Sequence, residues 1–318
     1  MAGAAQRPPI AVKTNLSLAG GLILLMLFQY FALPLWLLPR DPSWGWLLLP
    51  IALTTTTYWA LVHEAFHGAL HPDPRTNTGL GRLLAVLFAA PYWPLRFGHL
   101  SHHALNGKPS DRPDLYDPRR RSLGWARFLF YLRLFIALYA VELAASFLSF
   151  LPRRRLERVI RKIYYEGNPD ARRLPDLAVK FLMEPARMRQ IRIDGIMIWA
   201  ALIGAFACYG WNGWMLLLAF LARGFLISFM DNALHYGGPV ADIQHAFNGW
   251  LPRWAGPLVL HFNLHRTHHI YPNLPWSALP DAFAAQEQRF DGHFLVLPLR
   301  QLRGPIPYEP RVGRAAAE

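Results

Sequence analysis

The chain has 318 residues, of which 53% are hydrophobic and 14% aromatic, and its formal net charge is +13. Apolar runs of about 20 residues, long enough to cross a bilayer as helices, exclude an ordinary water-soluble enzyme. Lys and Arg flank those runs, which assigns the positive charge to membrane orientation rather than to nucleic acid. The single cysteine, Cys208, lies inside an apolar run, which excludes an internal disulfide, a thiolate zinc site and an iron–sulfur cluster.

The first apolar run, residues 16–38, is too long for a signal-peptide core and is read as a retained anchor. A short polar link, Pro39–Ser43, leads to a second run, 45–62, which delivers the chain to His63. Two helices joined so closely form a hairpin and return His63 to the side of the N-terminus. Residues 80–95 are apolar but short, contain Pro91 and Pro94, and stand between two histidine clusters. If those clusters share a side, this stretch does not cross. Residues 125–151 are long enough to span but carry Arg127, Arg133 and Glu142 and precede a strongly basic segment, 152–193. An interfacial or re-entrant element keeps that basic segment inside. The segment is suited to anionic lipid or an acidic electron carrier. A second hairpin, 194–210 and 214–230, turns at Trp211-Asn212-Gly213. The expected fold is all-α and integral to the membrane: one domain over 1–318, with four spans in two hairpins. A cytoplasmic helical cap, 63–193 and 235–318, carries the histidines. Both terminal tails read as flexible.

The histidines occur in four groups. His63 and His67 form HxxxH, whose i, i+4 spacing puts two imidazoles on one helical face. His99, His102 and His103 form HxxHH; His235 stands at the end of the fourth span; His265, His268 and His269 repeat HxxHH. Two copies of one spacing, all delivered to one membrane face, point to a metal site. Nine rings are too many for one ion and suit two, with four or five each. Imidazole accepts zinc, copper, iron or nickel. A histidine-rich pair of redox ions on an apolar scaffold points to iron and dioxygen. Tyr271-Pro272-Asn273-Leu274-Pro275 then ends the last histidine helix, since proline lacks the backbone donor.

These boxes between paired apolar runs, over about residues 45–285, resemble the membrane fatty acid desaturase–hydroxylase superfamily. The resemblance implies a non-haem di-iron enzyme that uses O2 to oxidise unactivated C–H bonds. The nine histidines would be its ligands, with His235 the additional helix-end ligand. Asp231, one turn earlier, falls where some desaturases reach the metal through water. Glu64 and Asn263 stand beside ligands and could orient them, and His261, at i−4 from His265, could join them or simply pack. His71, one turn past His67, is a weaker candidate to touch the metal, and His245 and His293 read as capping, packing or solvated. Asp111, Asp114 and Asp117, in a proline-rich loop, could orient histidines but read mainly as solvated acids. Thr54–Thr57 either line a cleft or bond back to their own helix.

The resemblance implies a lipid substrate held among membrane lipids, and no nucleic acid. Electrons would come from a separate ferredoxin, rubredoxin or cytochrome-type protein with its reductase. The expected location is the bacterial inner membrane, with the site on the cytoplasmic side. Fatty acyl desaturation is the first expectation. Carotenoid ring ketolation or hydroxylation is an alternative, because HHIYPNLPWSALP resembles a ketolase stretch. Oxidative decarboxylation of a free fatty acid to a terminal alkene is another, because HEAFHGALHP and RFGHLSHH resemble bacterial membrane decarboxylases. That reaction needs a cation for the carboxylate, with Arg96 and Arg266 as candidates. Bulk at Tyr58, Trp59, Phe66, Phe225 and Phe229 would favour a slim acyl chain if it faced inward. A metal-binding scaffold without activity is the non-enzyme alternative.

Overall fold

The computed structural model describes residues 8–165 and 173–309. The tails read as flexible fall, but for Pro8 and Pro9, outside the described residues, as does 166–172 of the basic segment. The fold is mostly helical.

Helix α1, Val12–Leu27, runs without a break into a π-helical stretch, Phe28–Leu37, around Pro34. The missing proline donor shifts the local hydrogen-bond register rather than ending the helix. Asp41 then accepts from the Ser43 N–H (2.8 Å) and starts the next helical turn. Helices α2, Leu48–Leu53, and α3, Thr55–Phe66, meet at Thr54 with a 43° bend. Thr54 and Thr55 donate their hydroxyls to the carbonyls of Ile51 (2.7 Å) and Ala52 (2.5 Å), the back-bonding that bends helices.

Helix α4, Pro74–Leu87, is capped by Asp73, which accepts from the Thr76 N–H (2.8 Å). It stops at Ala89, whose φ is +61°, and α5, Tyr92–Leu105, leaves after Pro91. Residues 80–95 are therefore two helix ends and a turn, not one span. Gly81 allows α3, α4 and α5 to close: a Cβ there would lie 2.6 Å from Ala65 Cβ and 2.8 Å from the Tyr92 ring.

The buried C-terminus of α4 is capped by side chains. Tyr58 donates to Leu84 O (2.8 Å), Tyr30 to Leu87 O (2.7 Å) and Tyr139 to Phe88 O (2.8 Å). The Arg223 guanidinium, 3% exposed, stands 4.9 Å from the Phe88 ring centre and donates to Gln29 Oε1 (3.3 Å). Leu84 O also accepts the Phe88 N–H (2.9 Å); carbonyls past the last helical bond need such donors where no water reaches, and a cation suits a helix C-terminus.

Helices α6, Leu123–Leu132, and α7, Leu138–Leu148, are joined by a π-helical turn into 26 continuous residues. They are followed by α8, Arg153–Tyr165, and α9, Leu174–Leu182. Glu184 caps α10, Pro185–Tyr209, by accepting from the Ala186 and Arg187 N–H groups. Gly210, at φ +50°, precedes α11, Gly213–Asp231. Phe206 of α10 stacks on Phe220 of α11 at 6.4 Å.

Among the described residues, three helical stretches, Val12–Leu37, Leu123–Leu148 and Pro185–Asp231, are long and apolar enough to cross a membrane. There are four if the bent pair Pro42–Leu53 and Thr55–Phe66 is one span. Their outer faces suit lipid. Leu24 is 69% exposed and Leu53 and Ile203 are each 67% exposed, while Asn15, Gln29 and Arg223 are buried. Beyond α11 come α12, His265–Ile270, and α13, Leu279–Ala285, with two parallel strand pairs. These pairs are β1, Leu115–Tyr116, with β4, Ile306–Pro307, and β2, Gly249–Trp250, with β3, Gly292–His293. The first pair ties the end of the C-terminal segment to the loop after α5, and the second closes that segment on itself.

Candidate metal centre

Four elements supply nine imidazoles. His63 is in the last turn of α3 and His67 is its C-cap. Gly68 follows at φ +68°, a turn that favours glycine and ends the helix. Helix α5 carries His99, His102 and His103, the turn after α11 carries His235, and α12 carries His265, His268 and His269.

The rings converge into two sets. His63, His67, His99, His103 and His268 form one, and His102, His235, His265 and His269 the other; within each set the ligand atoms lie within 4.8 Å of one another. In the five-ring set, Nε2–Nε2 separations are 2.7 Å for His67–His99, 3.0 Å for His99–His103 and 3.0 Å for His103–His268. In the four-ring set they are 3.2 Å for His102–His235, 3.3 Å for His102–His269 and 3.0 Å for His235–His265. Bonds of about 2.1 Å to one ion put neighbouring ligand nitrogens about 3 Å apart. A buried nitrogen without a partner costs stability, and His63 Nε2 has none. The spacing fits a bound metal in each set, and the orphaned His63 nitrogen fits one in the five-ring set.

Burial keeps the rings neutral, the form that binds metal. It holds His99, His235, His268 and His269 well below the ordinary imidazole range, and lowers His103 to about 2 and His265 to about 3, with neighbouring rings adding to the effect. His102 differs. Burial opposes its charge, but the Asp111 carboxylate, 2.6 Å from Nδ1, outweighs burial and raises it. Asn106 donates to His269 Nδ1 (3.3 Å) and also to the carbonyls of Ile243 and His245.

The proline-rich loop is a correction to the sequence reading. Asp111 orients a histidine. Asp114 is fully buried, pairs with Arg112 (2.6 Å) and accepts from the Gly237 N–H (3.0 Å) beside His235. Asp117 is closer to the expected solvated acid, pairing with Arg120 at 3.6 Å. Asn106 carried no sequence signal, since an asparagine one residue past a histidine helix has many possible duties.

The remaining candidates are placed as follows. Asp231 pairs with Arg133 (2.8 Å) and lines the cavity described below. Glu64 accepts from the Trp276 N–H (3.1 Å), and Asn263 donates to Gly249 O (2.8 Å), so both fasten the C-terminal segment. His261, at φ +51°, stacks on Trp276 at 5.8 Å and belongs to neither set. Arg96 donates to Phe66 O (2.9 Å), and Arg266 pairs with Asp291 (3.0 Å) and donates to Ala246 O. Nδ1 of His71 and of His293 accepts from a nearby backbone N–H, and His245 lies against Phe247.

A cavity of about 400 Å³ opens from the rings of His63, His99, His102, His235 and His265. Its walls are mainly apolar, with Trp59, Leu138, Leu156, Ile160 and Ile227 among them; Arg133 is the arginine that lines it, and Thr55 and Thr56 border it. Of the five bulky residues weighed from sequence, Trp59 lines the cavity. Tyr58 and Phe66 are buried in packing, and Phe225 stacks outward on Phe135 and Phe229.

An apolar helical scaffold with buried imidazoles in two ion-sized sets, opening on an apolar cavity, fits an oxidoreductase with a metal site. The chain belongs to the fatty acid desaturase family, whose model matches residues 42–298. It is 36% identical over 68 residues to the chloroplastic omega-3 fatty acid desaturase of Brassica napus (20% of this chain, 17% of the relative). It is 37% identical over 68 residues to the chloroplastic temperature-sensitive sn-2 acyl-lipid omega-3 desaturase (ferredoxin) of Arabidopsis thaliana (20% and 16%). It is 35% identical over 107 residues to the beta-carotene ketolase of Paracoccus sp. (strain PC1) (31% and 43%). The chain thus spans less than half the length of each of these relatives.

Proposed function

We propose that the chain is an O2-dependent di-iron membrane oxidase that desaturates a fatty acyl chain. The observation that carries this reading is the pairing of a five-ring and a four-ring imidazole set at the end of an apolar cavity. The nine histidines would hold two irons, which when bound supply the O2 chemistry needed to remove hydrogen from an unactivated C–H bond. The chain's own residues do the rest. The apolar walls at Trp59, Leu138 and Ile227 hold a hydrocarbon against the rings and exclude water. Asp111 fixes the orientation of His102. Asp231 is tied to Arg133 and shapes the cavity wall.

The topology we propose has four spans in two hairpins, with α10 and α11 reversing at Gly210. Helices α6 and α7 then lie along the cytoplasmic interface, despite a length that could cross. Support comes from their partners. Arg133 meets Asp231, Tyr139 meets Ser228, Trp199 donates to Ser146 Oγ, and Arg192 donates to Ser149 O. The partners of the middle and of the C-terminal end of this stretch, Asp231 and Arg192, lie at the histidine end of α11 and α10. Reporter fusions after Gly79 and Arg155 are expected to report cytoplasm and one at Gly213 the outside. An external signal at Arg155 overturns the interfacial assignment. Electrons come from a separate ferredoxin, rubredoxin or cytochrome-type protein with its reductase; the Arabidopsis relative carries ferredoxin in its name. The membrane is proposed to be a bacterial inner membrane.

The ketolase match favours one second reading, oxidation of a carotenoid ring. Decarboxylation of a free acid loses support, because Arg96 and Arg266 are engaged with Phe66 O and with Asp291. Expression with a redox partner, followed by mass spectrometry of lipids, pigments and headspace gas, decides among them. A new acyl double bond is the expected result. Oxygenated β-carotene with unchanged acyl lipids and no alkene overturns the acyl assignment.

A further inference from the structure

Helix α8 is two-faced. Leu156 and Ile160 are 4% and 5% exposed and line the histidine cavity, while Arg153, Arg154, Arg155 and Arg158 stand on its exposed side. A second cavity, about 460 Å³, lies between the start of α8 and the first turns of α10. It is lined by Arg153, Arg189 and Arg192 and by apolar residues, and shares Leu156 and Met188 with the histidine cavity. Among the described residues Arg153 and Arg189 form no ion pair. Ile193 and Ile196, on the same rim, are 45% and 59% exposed and face outward with the lipid-facing surface of α10. The second cavity is therefore a cationic rim on an apolar slot that opens sideways.

From this geometry we infer that the second cavity is the entry port for a free fatty acid, its carboxylate held by Arg153 and Arg189, with Arg192 beside them but already donating its Nε to Ser149 O (2.9 Å). The inference rests on the acyl reading above and deepens it. Guanidinium pairs well with carboxylate, and an interfacial arginine meets an anionic head where the hydrocarbon region begins. The tail passes between Leu156 and Met188 into the histidine cavity. Leu156 and Met188 line both cavities and stand between them, so the tail displaces these two side chains to pass. The carboxylate then lies at the end of the path away from the metal sets. The rings face carbons along the chain, which is the arrangement desaturation needs and the opposite of what decarboxylation needs.

Photoreactive palmitate analogues, bound to the purified full chain in nanodiscs and mapped by peptide mass spectrometry, test this without turnover. A diazirine beside the carboxylate is expected to label Leu156, Met183, Met188 or Ile193. A diazirine near the methyl end is expected to label the Thr55–Trp59 peptide. Arg153→Gln with Arg189→Gln should weaken palmitate binding about tenfold and leave its methyl ester unaffected. The port is overturned if the carboxyl-side probe labels α5 or Trp59, or if acid and ester bind equally. It is also overturned if phosphatidylglycerol displaces the label and palmitate does not. Should neither probe label the histidine cavity, the acyl reading itself falls; labelling of that cavity in the reverse order removes only the port.

Discussion

Residues 99–103 and 265–269 spell the same HxxHH, yet they distribute their rings in opposite ways. His99 and His103 join the five-ring set and His102 crosses to the other; His265 and His269 join the four-ring set and His268 crosses back. Successive residues of a helix point about 100° apart, so the adjacent pair in each box aims at two targets while i and i+4 share one. HxxxH at 63–67 has no such pair and serves one set alone. The doubled histidine is thus what turns a one-ion motif into a bridge between two sites.

The strongest way to break this comparison is to remove a crossing ring. His102→Ala and His268→Ala take one ligand from opposite sets, and each is expected to abolish activity and lower bound iron from about two to about one per chain. Iron analysis after anaerobic loading checks it, and full activity in either variant removes the assignment. Asp111→Asn probes the four-ring set alone. A lost carboxylate partner is expected to cost about 10- to 100-fold in metal affinity, read by competition with a chelator. Unchanged affinity would mean that the 2.6 Å contact does not tune His102.

Smaller effects sharpen the boundary of the site. Tyr139→Phe removes the hydrogen bond to Phe88 O and should destabilise the fold by about 1–3 kcal/mol, while the folded fraction keeps its iron. Thermal unfolding in detergent with parallel iron analysis measures both, and an unchanged melting temperature argues against the capping role. His261→Phe is expected to change least, because the ring stacks on Trp276 and a phenyl ring can do the same. A fall in iron content on that change would place His261 among the ligands.

The helical class and the histidine spacing were readable because both are local periodicities. Which ring joins which set was not stated by the motifs, since it depends on how α5 and α12 face each other. Arg96 and Arg266 were chosen for standing near ligands in sequence. Arg266 adjoins His265, but adjacent residues on a helix point apart, and its guanidinium left for Asp291. Asp111 was undervalued because its place is set from afar: Arg112 bonds Gly238 O (2.8 Å) and anchors the loop beside His235. Phe225 turns away from the cavity for a similar reason: only its packed neighbour, Phe135, shows which way that face of α11 turns.

The cap on α4 bears on how the chain is made. Tyr30 and Tyr58 precede the carbonyls they serve, Tyr139 follows about 50 residues later, and Arg223 arrives with the last long helix. During synthesis the tip at Phe88 waits with an unmet acceptor in an apolar setting, where such a group is costly. Helix α5 leaves that same tip and carries three of the nine imidazoles. The first-made half therefore keeps an open acceptor beside α5 until Tyr139 of α7 has been made, and the Phe88 ring gains its cation only with α11.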